Sequence, residues 1–412
     1  MLNQLRSYAR EHKEFTFHFL IVSFLNFLKP ACSLIIAMLL VRSITTEQFG
    51  EYNFILSIIA IATATTLPGV ENAITQSVAR GHPGTYRYLL KLSFLTTFIG
   101  AAGIFLTGVA LHFFSDKGNL TAFAIAACFF PFYLGLEQWK ALRKGMEDFK
   151  KIVTISSTVQ FVQLAIVAGG IFLFPGEYII ILFLYFLTPA IRNITQTIWA
   201  LRFTAKDHEK FEPETKKYGL VTSLYALYNL VANNVDKILI YFFISPESLA
   251  ILVIAEKIPE LIRQVIGTYT NVLAPKLARI EKYSLELEKK IRLFSWIIAG
   301  GILAVAFLIL PWFIPMAFTD KYQDSVLVAQ LLCVSVAIGN VATLRYFFIK
   351  SRLDAVSEKR ITLTTSMIRI VASCVCVPFF GLWGVIISVF VYRLSTVFMV
   401  RRVIKDTYLK ES

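Results

Sequence analysis

Charged residues are scarce in this chain of 412 residues, at 17% of the total, whereas a soluble domain carries roughly a quarter. Long hydrophilic stretches are also missing, so no part of the chain could form a sizeable soluble domain. Hydrophobic residues make up 56% of the sequence, and the mean hydropathy is +0.65. Apolar runs of about 20 residues, long enough to cross a bilayer, recur throughout. These features predict a polytopic membrane protein.

Cysteine is sparse and shows no pairing pattern. All five cysteines fall inside apolar runs: Cys32, Cys128, Cys333, Cys374 and Cys376. We interpret them as small hydrophobic side chains, and the C-V-C sequence at 374–376 favours packing over a metal site. No metal and no cofactor are predicted. The first apolar run lacks a small-residue cleavage site and is too long for a signal peptide, so it is expected to remain as the first span.

Hydrophobic periodicity predicts an all-α membrane protein of about twelve transmembrane helices. The predicted spans are 16–42, 52–76, 88–114, 119–140, 152–174, 178–202, 218–244, 249–275, 293–317, 325–349, 361–381 and 382–400. An even number of spans places both termini on one side of the membrane. Two parallel six-helix bundles around a central cavity are expected, at 1–203 and 218–412, joined by a cytoplasmic linker at 204–217.

Lys and Arg are distributed unevenly between the alternate loops that join these spans. Thirty of the 41 basic residues lie in one set of loops and flanking span ends, which includes both termini. The other set holds Arg42, Lys117 and Lys321. Because short, positively charged loops stay in the cytoplasm, both termini are predicted to be cytoplasmic. The formal net charge of +14 therefore reflects topology, and a nucleic-acid partner, which needs basic residues on one soluble face, is excluded.

Two pairs of short segments suggest an internal repeat with a period near 200 residues. Residues 45–50 correspond to 244–249, and residues 77–80 correspond to 276–279. Both pairs lie at equivalent points of the two halves and at a similar offset. Six spans in each half would make the halves parallel repeats about an axis along the membrane normal, with a site between them.

Thirteen charged residues remain inside the predicted spans. The basic ones are Lys29, Arg192, Lys237, Lys257, Arg263, Arg345, Arg369 and Arg393, and the acidic ones are Glu71, Glu137, Asp236, Glu256 and Glu260. Each would cost about 2.5–3.5 kcal/mol if it faced lipid near the midplane, so they are expected to face a cavity or to pair. Because basic residues exceed acidic ones, the cavity should attract an anion such as phosphate.

The depth of each charge in its span separates candidate site residues from those expected near the membrane surface. Arg345 and Glu137 lie close to a cytoplasmic end and are predicted to reach the interface, while Arg369 is intermediate. Six basic residues lie deeper and are the predicted substrate-binding residues: Lys29, Arg192, Lys237, Lys257, Arg263 and Arg393. A purely structural ion pair is the alternative for each of them.

Polar stripes run along the seventh and eighth predicted spans. They consist of Asn229, Asn233, Asp236 and Lys237 on the seventh, and of Glu256, Glu260 and Arg263, beside Pro259, on the eighth. Their spacing of three or four residues puts each stripe on one helix face. Some of these charges should neutralise one another, Asp236 with Lys257 for instance. The alternative interpretation is a packing seam held by hydrogen bonds.

Pro68 and Gly69 interrupt the second predicted span just before Glu71. Two interpretations of Glu71 stay open: a carboxylate that carries a coupling proton, or an acid paired with a nearby cytoplasmic Arg such as Arg80. Glu71, Asp236 and Glu256 are the predicted ion-coupling residues.

Several short motifs resemble those of Wzx-type O-antigen and polysaccharide repeat-unit flippases, members of the multidrug/oligosaccharidyl-lipid/polysaccharide exporter superfamily. They are S-I-T-T-E-Q-F-G-E-Y-N at 43–53, S-V-A-R-G at 77–81, A-L-R-K-G-M-E-D-F-K-K at 141–151, N-V-D-K-I-L-I-Y-F-F-I-S-P-E-S-L-A at 234–250 and I-A-E-K-I-P-E-L-I at 254–262. Together with helix count and length, the resemblance covers nearly the whole chain.

The resemblance implies a multi-pass protein of the bacterial inner membrane that moves a sugar unit on undecaprenyl diphosphate from the cytoplasmic to the periplasmic leaflet. Its implied partners are the lipid bilayer, the lipid-linked oligosaccharide, a polysaccharide polymerase and a chain-length regulator. It also implies that Lys29, Lys257 and Arg263 face the head group. The sequence departs from the family pattern where Thr46 replaces the usual Pro and where 249–250 lacks the usual small or Gly residue.

Three other classes compete with this interpretation. A drug/cation antiporter of the multidrug and toxin extrusion class is the alternative function, but it would need a net acidic cavity. A major-facilitator transporter has the same helix count, but its G-x-x-x-D-R-x-G-R-R loop is absent from 77–91. A membrane-embedded polymerase usually needs a large outer loop, and the outer loops here are short. A membrane transporter is therefore predicted, and not an enzyme.

Overall fold

Helices make up nearly all of the computed structural model, which describes residues 28–115, 118–206, 213–278, 283–352 and 355–408. No β-strand occurs within these ranges. Apolar sequence in lipid favours this outcome, because a helix satisfies its backbone hydrogen bonds internally. The predicted all-α membrane fold is confirmed.

The first half of the chain contains eight helices in its described part. They are α1 (28–43), α2 (Thr46–Ala62), α3 (Pro68–Ala79), α4 (Thr85–Ser115), α5 (Leu120–Phe130), α6 (Trp139–Gly145), α7 (Phe149–Leu173) and α8 (Tyr178–Phe203). The second half continues with α9 (Pro213–Phe243), α10 (Pro246–Ala278), α11 (Leu285–Ala304), α12 (Leu310–Phe318), α13 (Ser325–Ser351), α14 (Ala355–Phe380) and α15 (Leu382–Val403).

Eight helical segments of the described chain are long and apolar enough to cross a membrane, and α2 with α3 would make a ninth if that bent pair is one span. In this tally α5 joins α6, and α11 joins α12. Helices α1, α9 and α10 are not among them. Each predicted span overlaps a helical segment, although the start of the first, 16–27, lies outside the described residues. The count of about twelve stays a prediction.

Related side-chain caps begin α2 and α10, and they differ by one residue from the pairing of 45–50 with 244–249 in the proposed repeat. Thr45 accepts a hydrogen bond from the backbone of Gln48 at 3.1 Å, and the Gln48 side chain accepts one from the backbone of Thr45 at 3.0 Å. Ser245 accepts from the backbone of Ser248 at 3.1 Å. Such caps satisfy backbone donors that a helix start leaves open. The second pair of the repeat, at 276–279, lies partly outside the described residues.

The predicted interruption before Glu71 is a bend of 44° between α2 and α3. Helix α2 ends in a 3₁₀ turn, Thr63–Thr66, and Leu67 takes a left-handed conformation with φ of 54° before Pro68 starts α3. Pro cannot donate a hydrogen bond, so carbonyl groups are left open at the bend. Ser93 and Thr96 of α4 donate to the carbonyls of Thr66 and Thr65, each at 2.6 Å.

The chain groups into two compact units. Of the described residues, the first unit contains those up to Ile36 together with those in Ala62–Ala226, and the second contains Ala37–Ile61 together with those from Leu227 onward. The predicted linker at 204–217 falls partly on residues 207–212, outside the described chain, and the division at that linker stays a prediction.

Candidate functional site, a cationic cavity in the first unit

A cavity of about 360 Å³ lies within the first unit. Helices α1, α6, α7 and α8 line it, together with residues just after α5. Its charged lining residues are Lys29, Glu137, Lys140, Lys144 and Arg192, and its polar ones are Ser33, Tyr133, Ser156, Gln160, Gln163 and Tyr185. Four cations against one carboxylate give these walls a net positive charge.

A break after α5 places the charges of α6 in this cavity. The chain widens into a π-helical turn at Pro131–Gly135, and α6 then buries Trp139 and Leu142 in the core of the first unit. Lys140 and Lys144 lie four residues apart on one face of α6, and Glu137, in the turn just before α6, lines the same cavity. The buried apolar face thereby turns the charged face toward the cavity.

Asn193 of α8 hydrogen-bonds both the helix break after α5 and the neighbouring cation, Arg192. Its side-chain nitrogen donates to the carbonyl of Tyr133 at 2.6 Å, and its oxygen accepts from the Trp139 indole at 3.1 Å and from Nε of Arg192 at 3.0 Å. Asn193 is fully buried. A buried carbonyl left open by a helix break needs such a partner. The Asn193 side chain therefore satisfies the open carbonyl at the break and also orients Arg192.

Two carboxylates neutralise three of the four cavity cations. Glu137 hydrogen-bonds Lys140 and lies 3.6 Å from the Arg192 guanidinium. Lys144 pairs with Glu71 on α3. Lys29 is exposed and makes no hydrogen bond or ion pair with any described residue. The cavity therefore keeps cationic groups available for an anion.

The remaining lining is hydroxyl, amide and aromatic. Gln163 donates to the carbonyl of Tyr185 at 2.8 Å, and Gln160 donates to Gln163 at 3.3 Å. The rings of Tyr133 and Tyr185 have centroids 6.4 Å apart. Ser156 has a buried hydroxyl without a hydrogen-bond partner among the described residues. Such groups can bind a polyhydroxylated molecule beside an anion.

The cavity brings together two of the six predicted basic site residues, Lys29 and Arg192. It also contains three residues that the sequence analysis missed. Glu137 was expected at the interface, and Lys140 and Lys144 were assigned to a cytoplasmic loop. Their spacing of three and four residues after a Pro-containing break was the signal that could have identified them.

Ion pairs in the described part of the second unit connect α9 with α14 and with α10. Arg369 of α14 donates to Asp236 of α9 at 2.9 Å and to Asn233 at 2.8 Å, with the Asp236 side chain fully buried. Lys237 lies 2.9 Å from Glu256. The predicted example, Asp236 with Lys257, is therefore wrong as to the partner of Asp236, because Arg369 reaches it from a neighbouring helix.

The other predicted cations of the second unit have different surroundings. Arg393 packs against Gly339: a Cβ on that glycine would lie 2.8 Å from the Cδ of Arg393. The Arg393 guanidinium lies 5.2 Å from the ring centroid of Tyr392. Arg263 is exposed and has no hydrogen bond or ion pair within the described chain. Lys257 is half-buried on α10. The substrate roles of these residues stay predictions.

Two further charged residues have partners that the sequence analysis did not name. Glu71 pairs with Lys144, a cation between the fourth and fifth predicted spans, and its side chain is 43% exposed. Arg345 is buried and donates to both oxygens of Glu288, at 2.6 and 3.0 Å, and its place near the membrane interface stays a prediction. In each case a residue distant in sequence supplies the opposite charge.

A family model described as "Polysaccharide biosynthesis protein" matches residues 18–281, more than half of the chain. A search of curated proteins by sequence finds no match. Similar solved structures include an inward-facing multidrug resistance MATE family transporter of the MOP superfamily. The alignment with that transporter covers 93% of this chain and 96% of the transporter's chain, at 13% sequence identity and with a TM-score of 0.69.

Two more solved structures share this fold. The lipid II flippase MurJ, in an inward closed conformation, covers 94% of this chain and 88% of its own at 13% identity, with a TM-score of 0.68. A MOP superfamily transporter from Pyrococcus furiosus covers 95% and 96% at 12% identity, with a TM-score of 0.61. At these identities the likeness shows the fold alone, and that fold is the one of MOP superfamily transporters.

Proposed function

Because this chain belongs to the polysaccharide biosynthesis protein family, we propose that it is a flippase for a lipid-linked oligosaccharide. Its substrate is a repeat unit on undecaprenyl diphosphate, moved from the cytoplasmic to the periplasmic leaflet of the bacterial inner membrane by alternating access. The product then serves the synthesis of O-antigen or another surface polysaccharide, where a polymerase and a chain-length regulator are the proposed partners.

The cationic cavity of the first unit carries this proposal. A diphosphate needs several donors that bear positive charge, and Lys29, Lys140 and Arg192 line one cavity. Hydrogen bonds between such cations and phosphate are stronger than neutral ones, and Arg can bind two oxygens at once. A volume of about 360 Å³ is in the range of small-molecule sites.

The polar part of the cavity suits the first sugar of the repeat unit. Gln160, Gln163 and Ser156 supply amide and hydroxyl groups, and Tyr133 and Tyr185 supply ring faces. Sugars bind through such hydroxyl contacts and through apolar ring surfaces. The polyprenyl tail stays in the lipid, where its burial costs nothing.

The cations of the second unit, Lys237, Lys257, Arg263 and Arg393, remain proposed substrate contacts. The proposed coupling acids are each ion-paired: Glu71 with Lys144, Asp236 with Arg369 and Glu256 with Lys237. A transport step that uses one of these acids must open its pair.

A drug/cation antiporter is the second candidate, and the fold is compatible with it. Such a protein needs carboxylates exposed to a cationic substrate. Among the described residues that line the cavity of the first unit, the single carboxylate, Glu137, already lies between two cations. The net positive charge of the cavity lining therefore favours an anionic substrate over a cationic one.

Reconstitution in liposomes tests the proposal directly. The wild-type protein should move a fluorescent undecaprenyl-diphosphate-linked oligosaccharide between leaflets, and Arg192→Gln should slow this by about tenfold or more, since a charge-assisted contact is lost. Arg192→Lys should recover only part of the rate, because the fork of the guanidinium is missing.

The matched control is Arg360→Gln, which removes an exposed Arg outside the cavity and should leave the rate unchanged. If the reconstituted protein transports a lipophilic cation but does not move the lipid-linked oligosaccharide, the proposal is contradicted and the antiporter is favoured.

A further inference from the structure

Glu137 has an unusual position for an acid in an anion-binding cavity. It is the one carboxylate among the described lining residues, and it lies in the turn just before α6, the helix that carries Lys140 and Lys144. Its Oε1 contacts Lys140 and lies 3.6 Å from Arg192. Its side chain is 32% exposed, so a ligand in the cavity can reach it.

We infer that Glu137 is a resident counter-anion that occupies, in the empty cavity, the place of the substrate's anionic head group. The ligand class is a diphosphate or another multiply charged anion, and the head group binds by displacing the carboxylate from Lys140 and Arg192. This inference rests on the proposed function for the identity of the substrate, but the exchange of anions is a property of the cavity itself.

The electrostatics of the empty cavity call for such a group. Without Glu137, Lys29, Lys140 and Arg192 would share a space of about 360 Å³ with no carboxylate among the lining residues. Like charges repel strongly where water is limited and the dielectric constant is low. Glu137 reduces this repulsion when no substrate is present.

The contacts of Glu137 leave room for exchange. At 3.6 Å the approach to Arg192 is an ion pair without a hydrogen bond, and Nε of Arg192 is held by Asn193 instead. The terminal nitrogens of Arg192 can therefore bind a diphosphate in a bidentate manner. Lys29, which pairs with no described residue, adds a further donor.

A diphosphate bears more charge and more acceptor oxygens than one carboxylate, so it can displace Glu137 from Lys140 and Arg192. When the head group leaves, Glu137 pairs again with Lys140 and Arg192. The empty cavity is then neutral enough for the protein to return to its starting state. Glu137 thus weakens binding and permits release, two effects that a substrate-binding cation cannot have.

Inorganic pyrophosphate binding to the full chain in lipid nanodiscs, measured by calorimetry, tests the inference. Glu137→Gln removes the competing charge while preserving shape, so the dissociation constant should fall by roughly tenfold. Glu137→Asp keeps the charge but withdraws it from the cations, and it should tighten binding by a smaller factor. The matched control is Glu177→Gln, an exposed acid outside the cavity, for which binding should be unchanged.

Tighter binding cannot arise from a damaged fold, so an increase in affinity separates this role from a structural one. Equal or weaker binding by Glu137→Gln overturns the inference, as does equal tightening in Glu177→Gln or a wild-type protein that does not bind pyrophosphate. If Glu137→Gln does not fold, Glu137→Asp decides in the same way.

Flipping of the lipid-linked oligosaccharide is measured separately and decides the proposed function on its own. Net flipping by Glu137→Gln should be slower than in the wild type despite the tighter binding. Unchanged net flipping would overturn the proposed return step.

Discussion

Single charged side chains in the described spans differ mainly in how they are paired. Asp236 is fully buried and held by the nearly buried Arg369, whereas the Lys237 to Glu256 pair keeps 21% and 15% exposure. A buried ion in a low-dielectric surrounding depends on its partner, and loss of the partner leaves an uncompensated charge. We therefore expect the pair of Asp236 and Arg369 to contribute mainly to the stability of the fold. The pair of Lys237 and Glu256 is partly exposed, so a ligand can contact it.

Neutralising one member of the Asp236 and Arg369 pair should destabilise the protein. We expect Asp236→Asn or Arg369→Gln to lower abundance and the thermal unfolding temperature, because a stranded buried charge costs about 3–5 kcal/mol. The double variant should recover most of the loss. Arg263→Gln, which removes an exposed Arg without a partner in the described chain, is the control and should fold at normal abundance.

Melting curves and membrane abundance of the four variants measure this coupling. A double variant as unstable as the singles would show that the pair is not the source of the loss, and that each residue has a separate structural role.

Helices α2 and α10 of the second unit approach each other closely at a glycine. A Cβ on Gly50 of α2 would lie 2.0 Å from the carbonyl oxygen of Pro246, at the start of α10. The ring of Phe54, one turn further along α2, stacks on Tyr241 of α9 with centroids 3.8 Å apart. The two capped helix starts thus meet backbone to backbone, and this contact needs a residue without a side chain.

Gly50→Ala should force α2 and α10 apart, because the new methyl group meets backbone atoms that cannot rotate away. Overpacking of this kind costs about 1–3 kcal/mol, so the unfolding temperature should fall. Gly103→Ala is the matched control on α4, where a Cβ meets nothing within 4 Å. Since Ala favours a helix over Gly by about 1 kcal/mol, this variant should be as stable as the wild type or more so.

Thermal unfolding of both variants in the same detergent provides the comparison. Equal stability of Gly50→Ala and the wild type would mean that the contact between α2 and α10 is looser in the membrane than the structure indicates.

At the scale of the whole molecule, the basic residues are predicted to set the orientation in the membrane. Lys321 lies in a short turn, Asp320–Tyr322, between α12 and α13, in the set of loops that holds few cations. Lys117, Lys210 and Lys282 lie outside the described residues, and their sides of the membrane are predicted from sequence alone. Cytoplasmic termini and an inner-membrane location stay predictions.

Single cysteines placed in a chain freed of its five native ones test this topology. A thiol reagent that does not cross the membrane should label Lys117→Cys and Lys321→Cys from the periplasm. Lys210→Cys and Lys282→Cys should react only after the membrane is opened, because positively charged loops stay in the cytoplasm. Periplasmic labelling of Lys210→Cys would reverse the predicted orientation.

The sequence by itself determined the helical membrane fold, the bend before Glu71 and the presence of unusual charges within the spans. Apolar run length, Pro and Gly positions and the cost of a charge in lipid are local properties, and they can be read along the chain. Lys29 and Arg192 were found in this way, because each lies deep in an apolar run.

Only the tertiary structure decided which charges face one another. Glu71 with Lys144, Asp236 with Arg369 and Glu288 with Arg345 are separated by many residues in sequence. The positions of Lys140 and Lys144 also depend on the break after α5, because α6 starts anew at Trp139 and runs to Gly145, beyond the span end at residue 140 that hydropathy predicts. Pairing follows from the packing of helices in three dimensions, and no periodicity along one helix contains that information.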